Sequence, residues 1–197
     1  MKKFILTLVS ATFASIAMIA QPTSEHLTFK GVPIDGTLAQ YVTNMKDAGF
    51  EYLGEQHNIA LLKGQFAGFN DCIIRISELT LTNIVGSVDV ILPKYDDSHS
   101  ITGDYEKFKS MLTEKYGEPA IVKEDLLTLK FSNSAVNNID SFYQKKLNKY
   151  IWYTTFKIPK GEIILSIQND ERQSYLVLRY FDKINSDIAR SAAMEDL

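Results

Sequence analysis

The sequence predicts an α+β fold built from two tandem units, each a helix packed on an antiparallel β-meander. Three observations carry that expectation. The apolar residues Leu38, Tyr41, Val42 and Met45 recur at helical spacing, and short strand-like runs follow them. The same order of elements begins again after residue 98. The second helix repeats the first 67 residues later, with Tyr105, Phe108 and Leu112 answering Leu38, Tyr41 and Met45. With 197 residues, 45% of them hydrophobic and 11% aromatic, the chain is long enough to bury a core.

Residues 1–20 read as a signal peptide. Lys2 and Lys3 supply the positive start, and Phe4 to Ile19 is an apolar run of secretory length. Cleavage after Ala20 would leave Gln21 as the new terminus, whereas cleavage after Ala17 would fit Ser15-Ile16-Ala17, so both positions stay open. No cysteine lies beside the run to carry a lipid. The expected product is a soluble periplasmic or secreted protein with no transmembrane segment after cleavage.

The first unit spans 21–98. Thr37 and Gln40 stand three apart as a capping box, which satisfies free backbone N–H groups at a helix start, and Gly49 gives the left-handed stop. Strand-like runs follow at Ile59 to Phe66, Asp71 to Leu79 and Ile84 to Leu92, with turn signals at Gly68-Phe69-Asn70 and Thr82-Asn83. The stretch Pro93 to Ser100 breaks the pattern and marks the boundary.

The second unit spans 99–184. A helix is expected from about Gly103 to Tyr116, closed by Gly117 and kept from continuing by Pro119. Strands are expected at Ala120 to Val122, Leu126 to Phe131, Tyr150 to Ile158, Glu162 to Gln168 and Ser174 to Phe181. Residues 132–149 form an insertion without a counterpart in the first unit; Ile139, Phe142, Tyr143 and Lys146 have helical spacing within it. Residues 185–197 are expected as a short C-terminal helix or tail, the helix capped by Ser186 and running from Asp187 to Met194.

This order of elements resembles the β-lactamase-inhibitor-protein-like fold. The opening Phe29-Lys30-Gly31-Val32-Pro33-Ile34-Asp35-Gly36 is similar to an F-x-G-[VI]-P-[IV]-D-G opening in uncharacterised secreted proteins of Gram-negative bacteria. The resemblance covers roughly Phe29 to Lys183 and implies a two-unit α+β scaffold. The chain lacks the paired cysteines that staple the inhibitor's repeats, so inhibition of a β-lactamase is not implied.

Chemistry-bearing motifs are scarce. The 21 basic and 24 acidic residues give a net charge of −3, and no basic stretch is dense enough to neutralise nucleic-acid phosphates. His26, His57 and His99 have no metal-ligand spacing, and neither a metal nor a cofactor is expected. Asp96, Asp97, His99 and Asp104 cluster at the unit boundary but lack the ligand order of a calcium loop; they read as a solvated acidic turn, with a bound ion left open. Cys72, in Asp71-Cys72-Ile73-Ile74, reads as a buried hydrophobe. No serine-hydrolase, P-loop or dinucleotide motif occurs, and catalysis is not expected.

The suggestive residues are aromatic. In Tyr150 to Lys157, strand alternation separates Tyr150, Trp152, Thr154 and Phe156 from Ile151, Tyr153, Thr155 and Lys157. The heavier apolar load assigns the Trp152 face to the core. In the last strand Tyr175, Val177, Arg179 and Phe181 share one face. Tyr153, Lys157, Tyr175 and Arg179 are therefore the expected partner- or ligand-binding residues, because Tyr and Arg join broad contact to a polar handle. Cross-strand packing on a half-solvated sheet accounts for the same pattern. Lys145, Lys146, Lys149, Lys157 and Lys160 read as solvated surface, with an anionic-ligand patch as the alternative. Three function classes follow: a non-catalytic extracytoplasmic binding module for a protein or envelope ligand, acting through an open sheet face or an inter-unit cleft; an assembly protein acting by self-association; and a cell-wall or glycan hydrolase.

Overall fold

The computed structural model describes residues 25–95, 98–124, 152–169 and 173–197. The N-terminal run 1–20, Asp96 and Asp97, the expected strand Leu126 to Phe131 and the insertion 132–149 lie outside them.

The fold is α+β. A two-stranded hairpin, β1 (Thr28–Phe29) and β2 (Val32–Pro33), precedes helix α1 (Leu38–Asp47). Then come β3 (Glu51–Gln56), β4 (Ile59–Phe66), β5 (Phe69–Leu79) and β6 (Ile84–Ile91), helix α2 (Ser98–Tyr116), β7 (Ile121–Glu124), β8 (Trp152–Ile158), β9 (Gly161–Asn169), β10 (Ser174–Asp182) and helix α3 (Lys183–Glu195). The eight strands from β3 onward form one sheet in the order β3-β4-β5-β6-β10-β9-β8-β7, antiparallel throughout. The strands expected in two separate segments are joined by pairing of β6 with β10.

Helix α1 begins as its sequence requires. Thr37 Oγ1 accepts from the Gln40 N–H at 3.4 Å and Gln40 Oε1 accepts from the Thr37 N–H at 3.0 Å. Its buried residues are Leu38, Tyr41, Val42 and Met45. Gly49, at φ 92°, ends the helix in the left-handed conformation that glycine adopts without strain. On α2, Tyr105, Phe108 and Leu112 are buried, together with Ile101. Helix α1 packs on β3 to β6 and α2 on β8 to β10. Between helices and sheet lie Leu62, Ile74, Ile76, Val88, Val90, Leu178, Leu165 and Phe156, one apolar row after another. Gly64 on β4 leaves room for the Phe50 ring, since a Cβ there would stand 2.4 Å from it.

Several boundaries depart from the sequence expectation. Helix α2 starts at Ser98, inside the stretch read as a turn, and Gly103 lies within it. Strand β3 was not expected; its mostly exposed Glu-Tyr-Leu-Gly-Glu-Gln carries no alternation. The turn expected at Gly68-Phe69-Asn70 is the pair Ala67-Gly68, both at positive φ, and Phe69 already pairs with Phe66. Such two-residue turns match the twist of antiparallel strands, and Lys30-Gly31 and His57-Asn58 repeat the device. Helix α3 is capped by Asp182, not Ser186: Asp182 Oδ1 accepts from the Asn185 N–H at 2.9 Å.

The lead-in is part of the core rather than a polar linker. Phe29 is buried, with ring centroids 6.0, 5.8 and 5.4 Å from Phe50, Phe66 and Tyr180. Asp182, fully buried, accepts the Leu27 N–H at 2.7 Å and contacts His26 Nδ1 at 3.0 Å. Asn185 Nδ2 donates to the carbonyls of Ile34 and Val85, so the two ends of the described chain are tied together.

Burial pushes the phenol pKa values of Tyr41, Tyr95, Tyr105 and Tyr180 well above the ordinary value of 10.0. In the unfolded chain these phenols ionise near that value, whereas the folded state keeps them protonated. Their contribution to stability is therefore complete below about pH 10 and is lost as pH rises beyond it. Urea unfolding midpoints should fall steeply above pH 10, and absorbance at 295 nm should show these phenolates appearing only with unfolding; native-state titration of all tyrosines near pH 10 would contradict this.

Candidate functional site

The candidate site is the sheet face opposite α1 and α2. Its identity follows from strand parity. Tyr105, on α2, lies 2.6 Å from Thr154 through its hydroxyl, and its ring packs edge-on against Trp152 at 5.4 Å. Trp152, Thr154 and Phe156 thus face the helices, and Tyr153, Thr155 and Lys157 face away. Burial matches this assignment at Trp152, Phe156 and Lys157, while Thr155, on the outward side, is buried as well.

The antiparallel register arranges the outer face in rows. One row runs Lys63, Ile73, Ile91, Val177, Ser166, Tyr153, Lys123 across the sheet. The next runs Leu61, Arg75, Asp89, Arg179, Ile164, Thr155, Ile121. A third places Ser87 beside Phe181, then Glu162 and Lys157. Tyr175 lies beyond the first of these rows, opposite Gln168. The four residues singled out from sequence therefore share a face, but they are spread over it. With about 7 Å between rows, Tyr175 and Lys157 stand roughly 20 Å apart along the strands. Strand β9 separates Tyr153 from Tyr175 and Arg179. Tyr153 and Tyr175 are half-buried and Lys157 is exposed.

Arg179 is held at the centre of the face. Its Nε donates to Asp89 Oδ1 at 2.6 Å and its Nη2 to Oδ2 at 2.7 Å, the two-bond fork that guanidinium and carboxylate geometry favours. From the other side, Arg75 directs both Nε, at 3.0 Å, and Nη2 to Oδ2. Asp89 is 1% exposed, against 31% for Arg75 and 20% for Arg179. A carboxylate so far from water requires cationic partners, and the register supplies one on each flanking strand. The sequence reading missed Arg75 and Asp89. The available signal was an acid inside the apolar run Val88-Asp89-Val90, which calls for a partner wherever the fold brings one.

Other polar groups have structural partners. Lys109 donates to Glu124 at 2.7 Å; burial alone would lower its pKa, but Glu124 and Glu106 outweigh that and raise it. Asp104 accepts from the Tyr95 hydroxyl at 2.8 Å. Among the described residues no three His, Cys, Asp or Glu side chains gather as metal ligands. Cys72 is fully buried, its Sγ donating to the Phe69 carbonyl at 3.7 Å, and burial raises its thiol pKa.

Family models, curated proteins and solved structures were compared with the chain, and none matches.

Two measurements follow from this geometry. Either single change, Arg75→Ala or Arg179→Ala, leaves Asp89 with one cation, whereas the double change strands a buried carboxylate and should cost about 3–5 kcal/mol. Denaturant melts should show that cost exceeding the sum of the singles, and simple additivity would show that the three groups are not coupled. Cys72 should react slowly with a thiol reagent in the folded protein and quickly after unfolding, because a buried, protonated thiol is a poor nucleophile; rapid native labelling would contradict its placement.

Proposed function

We propose that the chain is an extracytoplasmic, non-catalytic binding module that recognises a protein or envelope ligand through the outer face of its sheet. The observation that carries this reading is the composition of that face. Opposite α1 and α2, it presents half-buried Tyr153, Tyr175, Arg75 and Arg179, residue types that give contact area and directed hydrogen bonds, beside exposed Lys157, Leu61 and Lys123. The sheet continues across the β6–β10 pairing, which favours a broad face over an inter-unit cleft as the recognition surface.

The same reading takes the scaffold as two tandem helix-on-meander units of the β-lactamase-inhibitor-protein-like kind, following a cleaved leader. Support comes from the matching burial of Leu38, Tyr41 and Met45 on α1 and Tyr105, Phe108 and Leu112 on α2. It also comes from the sheet order, in which β3 to β6 and β10 to β7 run as mirror-ordered halves. No described helix is long and apolar enough to cross a membrane.

The test is site-specific photo-cross-linking in cells that produce the protein, from position 153 or 157 on the outer face and from position 115 on α2 as control. A discrete adduct from the outer-face positions alone is expected, on a protein whose N-terminus lies near Gln21. Adducts from the α2 position only, or retention of Met1 on exported protein, would overturn the corresponding part of the proposal. Tyr153→Ala should weaken the captured interaction by about 1–4 kcal/mol if it is a hot spot. Its melting temperature should stay near wild type, while Trp152→Ala, on the buried side, costs about 3–5 kcal/mol of stability.

A further inference from the structure

The outer face carries one more guanidinium than its buried carboxylate requires. Arg179 already engages both oxygens of Asp89, which neutralises the charge and matches its geometry. Arg75 is additional. Its Nε and Nη2 are both committed to Oδ2, which locks the planar fork in place and leaves Nη1 outside the pair. Rigid presentation matters, because a long cationic side chain otherwise loses rotamer freedom when it binds.

The surroundings of Arg75 are apolar and accessible. Leu61 is its cross-strand neighbour on β4 and is 38% exposed. Leu53, the extra residue at the β3 bulge, directly precedes Gly54, which pairs with Leu61, and is 48% exposed. Ile73, two residues along β5, is half-buried on the same face. A fixed cation among exposed leucines complements a carboxylate flanked by apolar groups. It does not complement a polyanion: Arg179, the other guanidinium at Asp89, spends Nε and Nη2 on that carboxylate, Lys63 is paired to Asp71 at 2.7 Å, and Glu51 stands opposite Lys63 in the register.

We propose that Arg75, with Leu61, Leu53 and Ile73, forms a docking surface for a protein segment that sets an Asp or Glu side chain on the guanidinium and apolar neighbours on the leucines. This rests on the outer-face reading above and names the partner's chemistry within it.

The test is an NMR titration of the isotope-labelled protein with the peptide acetyl-Leu-Glu-Leu-amide, its Gln counterpart and inorganic phosphate. The Glu peptide should shift the amides of Leu61, Ile73 and Arg75 and bind at least fivefold more tightly than the Gln peptide, with no matching response to phosphate. Arg75→Gln should abolish the difference; it should fold, because Arg179 still serves Asp89. Leu61→Glu, at an exposed position, should weaken the Glu peptide at least fivefold by like-charge repulsion. Equal binding of the two peptides, an equal response to phosphate, or no shifts at Arg75 would overturn the proposal. Shifts confined to Tyr153 and Tyr175 would overturn it while leaving the outer face as the binding surface, and shifts lying off that face would count against both.

Discussion

The Arg75–Asp89–Arg179 row constrains the register of the strand pairing on which the rest of the sheet depends. Among the described residues the two groups of consecutive strands meet where β6 pairs with β10, and Asp89 stands in the middle of that pairing with a guanidinium on either side. A slip of one residue along β6 would turn Asp89 toward the apolar side of the sheet, where Val88 and Val90 now pack, and would strand a charge there. Hydrophobic burial supplies the cohesion of this core and is itself sensitive to register, since the same slip would turn Val88 and Val90 to the outer face. The ion row adds to that constraint, because its bonds close only in one register. Its main effect is therefore on specificity of pairing, and its net contribution to stability is smaller than its short distances suggest.

A second constraint closes the chain on itself. Asp182 ends β10, caps α3 and accepts the backbone of Leu27, while Asn185 holds the carbonyls of Ile34 and Val85. The lead-in hairpin is thereby fixed over the sheet, and Phe29 is placed among Phe50, Phe66 and Tyr180. Those rings continue to Phe108 on α2 through Phe66, at 6.3 Å. The space between the two helix-covered regions is thus filled by a residue that comes from outside either helix.

These constraints fix the layout of the outer face. Side chains on paired strands are held at fixed spacing, so Tyr153, Tyr175, Arg75 and Arg179 keep their separations without any loop having to order. Small polar side chains, Ser87, Ser166 and Thr155, lie between the larger ones and are buried. The face is consequently a set of separated large side chains, with the guanidinium pair at the middle and Leu61 toward β3.

Local pattern determined much of this protein by itself. The capping box and apolar spacing of α1, the buried stripe of α2 and the opposite placement of Trp152 and Tyr153 all follow from backbone periodicity, which acts over a few residues and can be read without knowing the fold. Strand β3 escaped because an exposed, bulged edge strand carries no alternation. The cap of α3 escaped because Asp182 directly follows the expected strand Ser174 to Phe181, and its other side-chain partners lie 155 and 156 residues away. Only the tertiary structure decided which cation would meet Asp89. One candidate lies 14 residues before it and the other 90 after, and the choice was made by strand register across the sheet, a property of the whole hydrogen-bonded ladder and of no single segment.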